Sequence, residues 1–214
     1  MFAAAPIEAN ARLRTRLSAH THTFVVAADR GAKTALMFGY EPNVVIGDLD
    51  SIDAATLREL QQRDVPIETY PRDKNATDGQ LAVERALLEH PSQLLLLGFL
   101  GGPRLDHSLA NVLLLVAVET PTVLLDERNE CVLIRAAAPY TWRTEPDEIV
   151  SLLPLGADVH GVRTVGLRWP LAGEQLHLGD TRGVSNEPIA DEVIVSIEQG
   201  LLLVTRHFPL PTDP

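Results

Sequence analysis

Val44-Val45-Ile46-Gly47-Asp48-Leu49-Asp50-Ser51 is the stretch of this chain that decides its fold. Three consecutive β-branched residues predict a strand that is buried on both faces, and the glycine after them predicts its end. Side chains at positions i and i+2 of an extended chain point the same way, so Asp48 and Asp50 could hold one hard cation such as Mg²⁺. The plainer alternative is that Asp50 or Ser51 caps the helix that follows.

Short apolar runs and helical patterns alternate on both sides of this stretch. Strands are predicted at 23–28, 44–46, 66–70, 94–97 and 122–125, and helices between them at 32–38, 53–63, 77–89 and 105–118. Continuous rather than alternating apolar strands predict a sheet that is covered on both faces. Residues 1–127 are therefore expected to form a doubly wound, mainly parallel α/β domain, in which ligands bind beyond the carboxyl ends of the strands.

The pattern changes near residue 127. Seven short β-rich segments follow, at 131–136, 140–143, 149–153, 159–165, 175–178, 193–197 and 201–205, with turn signals such as Gln199-Gly200 between them. No convincing helical pattern occurs in this half, which is typical of an all-β sandwich or barrel. We expect residues 128–214 to form a β-sandwich domain.

Charge and cysteine content narrow the classes of function. The 214 residues carry 18 basic and 29 acidic side chains, a formal charge of −11. That charge disfavours nucleic acid and anionic membranes, because both need a concentrated basic face. Cys131 is the only cysteine, so no disulfide can form within the chain. With no signal-peptide pattern and no apolar run long enough to cross a bilayer, the expected location is the cytoplasm.

Aspartates come just after the predicted strands or at the start of the helices that follow them. These residues are Asp29, Asp48, Asp50, Asp78 and Asp106. Each alone could be a helix cap or a first-turn acid. The carboxyl ends of parallel strands meet at one edge of a sheet, so the five carboxylates would repel one another unless a cation lay between them. The sequence therefore predicts a shared metal site at this edge.

The predicted helix at 105–118 is apolar on almost every side, so we expect it to be buried. Its first turns nevertheless carry Arg104, His107 and Asn111, at positions i, i+3 and i+7 on one face. The plainer interpretation of His107 is a core histidine whose ring nitrogens are hydrogen-bonded within the protein. Gly101-Gly102 would let a ligand approach the backbone at the start of the helix, which favours an anion site, with Lys74 as a second candidate cation.

Four motifs follow one another in the first half of the chain. They are Asp29-Arg30-Gly31-Ala32, Gly47-Asp48-Leu49-Asp50-Ser51, Lys74-Asn75-Ala76-Thr77-Asp78, and Gly101-Gly102-Pro103-Arg104-Leu105-Asp106-His107 with Asn111 four residues further on. The β-rich half adds Gly166-Leu167-Arg168-Trp169-Pro170-Leu171 and Ser185-Asn186-Glu187. Together these motifs make the chain resemble the thiamine pyrophosphokinase family along nearly its whole length.

The resemblance implies an Mg²⁺-dependent transfer of diphosphate from ATP to the hydroxyl of thiamine, giving thiamine diphosphate and AMP. It implies that Asp29, Asp48, Asp50 and Asp78 hold the metal, and that Asp48 and Asp78 are catalytic. It assigns ATP to Asp29, Arg30, Lys74, Thr77, Arg104, Asp106, His107 and Asn111, and thiamine to Trp169, Ser185 and Asn186. It also implies a homodimer with active sites at the subunit interface.

Other functions stay open at this point. A pyrophosphokinase of the same fold could act on another hydroxymethyl acceptor, such as a pterin, and a metal-dependent phosphohydrolase is a further alternative. A non-catalytic nucleotide sensor could keep the pocket without turnover, because Arg30, Asn75 and Pro103 depart from the family pattern. Trp169 could also be a core residue of the sandwich rather than a ligand contact.

Overall fold

The computed structural model describes residues 1–20, 23–136 and 138–209. The chain divides into two compact units, Met1–Glu127 and Arg128–Pro214. The first unit mixes helices and strands, and the described part of the second contains strands without helices. An α/β unit followed by a β-rich unit agrees with the fold class expected from the sequence.

The first unit alternates strands with helices. Its strands are β1 (Val26–Ala28), β2 (Val44–Gly47), β3 (Ile67–Thr69), β4 (Leu94–Leu97) and β5 (Thr122–Leu125), and its helices are α1 (Ala11–Ser18), α2 (Gly31–Met37), α3 (Ala54–Gln62), α4 (Asp78–Leu87) and α5 (Leu105–Ala117). β2 pairs in parallel with β1 and with β3, and β4 pairs in parallel with β5. The carboxyl ends of the strands within each of these groups therefore lie on the same side.

The first residues of the chain join the two groups of strands. Phe2 is bridged in parallel to Ala27 of β1 and to Leu97 of β4. Its backbone N–H donates to Val26 at 3.0 Å, and the backbone N–H of Ala3 donates to Leu97 at 2.7 Å. This segment, which the sequence pattern does not predict as a strand, therefore links the parallel group β1-β2-β3 to the parallel pair β4-β5.

Side-chain caps fix the starts of two helices that flank the carboxyl ends. Asp53 accepts from the backbone N–H groups of Ala55 and Thr56, so it caps α3 in place of Asp50 or Ser51. Thr77 caps α4, and its hydroxyl accepts from the backbone N–H of Gln80 at 3.2 Å. These bonds satisfy donors that a helix leaves free at its first turn, and they fix where each connecting loop ends.

Helix α5 is not buried, and that expectation was wrong. Leu105, Leu109 and Leu113 are 71%, 55% and 55% exposed, and Leu115 is the one fully buried residue of the helix. The three exposed leucines are spaced four residues apart, so they lie along one face. A helix with apolar residues on most of its faces can bury only the face that packs on neighbours such as α4, and the opposite face stays in solvent.

The second unit consists of antiparallel strands. They are β6 (Asn129–Arg135), β7 (Tyr140–Arg143), β8 (Ile149–Pro154), β9 (Val159–Val165), β10 (Ala172–Leu176), β11 (Glu192–Ser196) and β12 (Leu201–His207). β12 pairs with β6 and β8, whereas β9 and β7 flank β11 and β10 pairs with β9. Both groups contribute to one core, which includes Ile134, Leu152, Leu202, Trp142, Val162 and Val195.

A buried ion pair lies in this second unit. The guanidinium of Arg206 donates to both oxygens of Glu148, at 2.7 and 3.0 Å, and Glu148 also accepts from the indole N–H of Trp142 at 2.9 Å. Arg206 is 5% exposed and Glu148 is 3% exposed. The rings of Trp142 and Phe208 lie 5.2 and 5.1 Å from the guanidinium carbon. Charge, hydrogen bonds and aromatic packing therefore meet at one arginine.

Replacing Arg206 by methionine would leave the Glu148 carboxylate buried without its cation. Breaking a buried ion pair from one side typically costs about 3–5 kcal/mol. We expect Arg206→Met to lower the free energy of unfolding by about that amount, measured by urea denaturation. Arg182→Met is the matched control, because Arg182 lies 3.5 Å from Glu174 with 58% of its side chain exposed, and we expect a loss below about 1 kcal/mol there. Equal losses in the two variants would contradict the importance of the buried pair.

Candidate active site

A cleft of about 440 Å³ opens at the carboxyl ends of β1, β2 and β4. Nine of the residues assigned from the sequence to metal or ATP line it: Asp29, Arg30, Asp48, Asp50, Thr77, Asp78, Arg104, His107 and Asn111. They come from four separate segments of the first unit. The parallel sheet therefore brings together side chains that are more than eighty positions apart in sequence.

Asp29 lies deepest among these carboxylates. It follows β1 with a left-handed backbone (φ 44°) and is 7% exposed. Its Oδ1 accepts from the backbone N–H of Leu49 at 3.1 Å, which ties the end of β1 to the turn after β2. Burial, followed by the nearby charges of Asp78 and Asp48, raises the pKa of Asp29 from 3.8 to about 6. Keeping Asp29 ionised in this setting costs free energy, and a bound cation would remove that cost.

Gly47 is the residue that lets Asp29 come so close. Its φ is 140°, and a β-carbon at this position would overlap the carboxylate of Asp29. The glycine at the end of the deciding stretch is therefore required by the carboxylate of the neighbouring strand, as well as by its own turn.

Asp48 and Asp50 form a compact turn directly after β2. The backbone N–H of Asp50 donates to Oδ1 of Asp48 at 3.1 Å, and Leu49 between them has a left-handed φ of 64°. Hydrogen bonding from Asp50 lowers the pKa of Asp48. Arg72 lies 3.6 Å from the carboxylate of Asp50. A left-handed leucine is unfavourable, and such strain is typical of turns that position functional groups.

Asp78, at the start of α4, faces the ammonium of Lys74. The two side chains are 29% and 14% exposed, and Lys74 Nζ lies 2.9 Å from Oδ1 of Asp78. Among the described residues, that buried oxygen has no hydrogen-bond donor aligned with it, so the contact is an ion pair. Burial acts to lower the pKa of Lys74, but Asp78, Asp48 and Asp29 outweigh it and raise the pKa. Lys74 thus offsets part of the charge of the cluster.

The carboxylates fit a magnesium ion that is held together with a ligand. In the part of the chain that the structure describes, no three Asp, Glu, His or Cys side chains are grouped closely enough to hold a metal by themselves. Mg²⁺ commonly takes only one or two protein carboxylates and completes its shell with water and phosphate oxygens. The crowded Asp29 and the unaligned oxygen of Asp78 are donors of the kind that such an ion needs.

The start of α5 supplies the polar wall of the cleft. Arg104, His107 and Asn111 all line it, as their shared helix face predicts, and the amide of Asn111 donates to the backbone carbonyl of Phe99 at 2.7 Å. Asp106 does not line the cleft. It accepts two bonds from Arg104, at 2.8 and 2.5 Å, and this pairing lowers the pKa of Asp106 to about 2.

Trp169 belongs to an exposed loop of the second unit. It is 56% exposed, whereas Trp142 is buried in the core of the same unit. The alternative that Trp169 is a core residue was therefore wrong. Asn186 is 8% exposed and is hydrogen-bonded to the backbone of Trp169, and Ser185 precedes it with a left-handed φ of 61°. The three residues assigned to thiamine thus lie in two adjoining loops.

Comparison with known proteins identifies the family. The family model for the thiamin pyrophosphokinase catalytic domain matches residues 15–125, and the model for the vitamin B1 binding domain of the same enzymes matches residues 141–202. The chain belongs to the thiamin pyrophosphokinase family. This confirms the resemblance seen in the motifs.

Individual members of the thiamin pyrophosphokinase family agree over most of the chain. The thiamine pyrophosphokinase of Bacillus subtilis is 31% identical over 191 residues, which cover 86% of this chain and 87% of that protein. The crystal structure of the Bacillus subtilis enzyme superposes with a TM-score of 0.86 at 27% identity, covering 97% of both chains. The crystal structure of the Geobacillus thermodenitrificans enzyme gives a TM-score of 0.83 at 27% identity, covering 99% of this chain and 97% of the other.

The cleft of this family member also includes residues that the motifs do not mark. Four of the first residues, Ala3 to Pro6, line it. Gly98, with φ 73°, follows β4 where a β-carbon would overlap the carbonyl of Ala3. In the sequence, a glycine directly after an apolar strand indicates that another segment packs closely there, whereas the alanine-rich first residues have no pattern that predicts a place in the cleft.

None of the helices in the described ranges is long and apolar enough to span a membrane.

Gly47→Ala tests how closely Asp29 must approach. We expect it to displace the Asp29 carboxylate and to weaken binding of ATP with Mg²⁺, measured by calorimetry. Gly39→Ala is the matched control: Gly39 also has a positive φ of 84°, but nothing lies within 4 Å of the added carbon. The control should cost about 1–2 kcal/mol of stability from backbone strain alone and leave ATP binding unchanged. Unchanged ATP affinity in Gly47→Ala would contradict this view of the cleft.

Proposed function

We propose that this chain catalyses the Mg²⁺-dependent transfer of a diphosphoryl group from ATP to the hydroxyl of thiamine, giving thiamine diphosphate and AMP. The observation that carries the proposal is the cleft in which four aspartates meet Arg30, Arg104 and His107, in a chain of the thiamin pyrophosphokinase family. The hydroxyl oxygen bonds to the β-phosphorus, the bond from that phosphorus to the oxygen of the α-phosphate breaks, and AMP leaves with the electron pair.

We assign the metal to the carboxylates of Asp29, Asp48, Asp50 and Asp78. Mg²⁺, when bound with the nucleotide, supplies positive charge to the phosphate oxygens. The pKa of Asp48 is lowered, so this carboxylate is suited to hold a cation rather than to take a proton. We assign the hydroxyl proton to Asp78, the other residue assigned to catalysis, which lines the same cleft.

Cationic and polar side chains would hold the nucleotide around these carboxylates. We assign this role to Arg30, Lys74, Thr77, Arg104, His107 and Asn111, together with Asp29. Asp106 is left out, because it pairs with Arg104 and does not line the cleft. Lys74 is paired with Asp78, and a phosphate would compete for its ammonium. Arg104 is paired with Asp106 on an exposed surface, a contact of low strength that a phosphate oxygen can replace. Orienting the reactants can supply a large part of the rate enhancement of such a transfer.

The acceptor is assigned to the loops that carry Trp169, Ser185 and Asn186. The exposed indole suits the cationic thiazolium or the pyrimidine of thiamine, by cation–π attraction or by stacking. The match of residues 141–202 to a vitamin B1 binding domain supports this acceptor. A pterin-like acceptor and a non-catalytic sensor are not favoured.

We also propose how the two units divide this work. Residues 1–127 would be a doubly wound α/β domain for nucleotide and metal, supported by its parallel strands with intervening helices. Residues 128–214 would be a β-sandwich domain for thiamine, supported by the core that its two antiparallel groups of strands share. A cytoplasmic location fits the single, buried thiol of Cys131.

A homodimer is proposed as the working form, with the partner subunit completing each active site. The exposed stripe of α5 supports it: Leu105, Leu109, Leu113 and Val116 lie on an outer face, and residues 108–118 carry no charge. Two chains of formal charge −11 repel each other, so an uncharged apolar surface is where they can approach most easily. Monomers rarely expose such stripes without a function.

The transfer is tested by an AMP-coupled assay with ATP, Mg²⁺ and thiamine. We expect Asp48→Ala and Asp78→Ala each to lower kcat by at least about 100-fold, as loss of transition-state charge stabilisation does. Asp180→Ala is the matched control, because Asp180 is an exposed aspartate in a turn of the second unit, and we expect it to keep full activity. An active Asp48→Ala enzyme would overturn the site assignment, and formation of phosphate in place of AMP would indicate a hydrolase.

The dimer is tested by light scattering after gel filtration. We expect Leu113→Glu to convert the dimer into a monomer, because it places a charge in the centre of the stripe. Leu88→Glu is the control, since Leu88 is 69% exposed at the end of α4 and outside the stripe. A wild-type monomer, or a dimer that survives Leu113→Glu, would rule out this surface as the dimer contact.

A further inference from the structure

Asn186 links two loops of the second unit through its side-chain amide. Its Oδ1 accepts from the backbone N–H of Trp169 at 3.1 Å and from that of Glu187 at 2.9 Å. Its Nδ2 donates to the backbone carbonyl of Trp169 at 2.8 Å. An amide oxygen has two lone pairs, so Oδ1 of Asn186 is fully used within the protein. With 8% of the residue exposed, little of it is left for a ligand to touch.

The backbone of Asn186 is anchored to strand β8. Its N–H donates to the carbonyl of Val150 at 2.8 Å, and its carbonyl accepts from the N–H of Val150 at 2.8 Å. The preceding Ser185 donates its backbone N–H to the hydroxyl of Ser151 at 3.1 Å. The amide of Asn186 is therefore fixed to the sheet on one side and grips the peptide groups of Trp169 on the other.

A second link between the same loops runs through Arg168. Its guanidinium is paired with Glu187 at 2.8 Å, and its backbone N–H donates to the carbonyl of Glu187 at 2.8 Å. The guanidinium carbon lies 5.7 Å from the ring centroid of Trp169. An ion pair exposed to this extent adds little stability. It does restrict where the indole can turn, because one side of the ring is occupied.

We propose that Asn186 is a positioning residue for the acceptor: it holds the backbone of Trp169 so that the exposed indole is ordered before thiamine arrives, and it does not contact thiamine itself. The inference rests on the proposed function, which assigns Trp169 to the acceptor. An exposed aromatic side chain without core packing is mobile, and ordering it only on binding would weaken affinity. The two hydrogen bonds between Asn186 and the backbone of Trp169 lower this entropy cost before thiamine binds.

A double-mutant cycle separates positioning from direct contact. We expect Asn186→Ala to raise the KM for thiamine about tenfold with kcat changed less than about twofold, as loss of binding common to ground and transition states does. On the Trp169→Ala background, Asn186→Ala should raise KM no further, because a residue that acts through Trp169 has nothing left to position. Effects that multiply in the double variant would overturn the proposal in favour of direct contact.

A measurement without substrate checks the ordering itself. The chain has two tryptophans, Trp142 and Trp169. Subtracting the polarised emission of the Trp169→Phe variant from that of the wild type leaves the emission of Trp169, from which its fluorescence anisotropy follows. We expect Asn186→Ala to lower this anisotropy. Asn129→Ala is the matched control. The side chain of Asn129 contacts His207 at 3.1 Å, so this variant should leave the anisotropy of Trp169 unchanged. Unchanged anisotropy in Asn186→Ala would overturn the proposal.

Two milder variants guard against misfolding. Asn186→Asp keeps an acceptor for both N–H groups but loses the donor to Trp169, so we expect an intermediate anisotropy and an intermediate KM. Arg168→Gln removes the second link without touching the buried amide, and it should lower the anisotropy less than Asn186→Ala. If the wild type forms no AMP with thiamine, the proposed function fails; the anisotropy and a calorimetric thiamine-binding cycle over the same variants then decide whether Asn186 positions Trp169.

Discussion

Repulsion between carboxylates at one edge of a parallel sheet is the constraint on which the first unit depends. Asp29, Asp48, Asp50 and Asp78 line one cleft there, and burial together with the charges of Asp78 and Asp48 raises the pKa of Asp29. Two local contacts reduce this repulsion: the backbone N–H of Leu49 donates to Asp29, and the ammonium of Lys74 pairs with Asp78. Part of the charge is thus offset by the protein, and the remainder is what a cation bound with a triphosphate would neutralise.

The local backbone is adapted to this crowding. Gly47 has no side chain where Asp29 needs the space, and both Asp29 and Leu49 adopt left-handed conformations that cost energy in an isolated chain. The second unit solves a similar problem differently: it encloses Glu148 with Arg206 and presents Trp169 outward through hydrogen bonds to its backbone. Asp29 in the first unit and Glu148 in the second are thus buried carboxylates that accept hydrogen bonds from distant parts of the chain.

Much of the fold follows from local patterns. Strand β4 has the predicted bounds, as do β5, β7 and β9, because a run of apolar or β-branched residues between turn signals has few other options. The helix predicted from residue 77 begins one residue later, because Thr77 caps it, while the side chain of Gln80 bonds to Glu84. Helix α1 and the strand-like first residues were missed: the helix has a weak apolar pattern, and the central position of Phe2 depends on strands that follow it in sequence.

By itself, the sequence determined which chemical groups are available and the order in which they come: carboxylates after apolar strands, a polar face at the start of α5, and two motifs in the β-rich half. Only the tertiary structure decided which of them meet. It brought Asp29 beside Gly47, turned Asp106 onto Arg104 away from the cleft, left the leucines of α5 in solvent and exposed Trp169 while burying Trp142. Spacing along the chain fixes the direction of a side chain, whereas burial and pairing depend on neighbours that pack from distant parts of the chain.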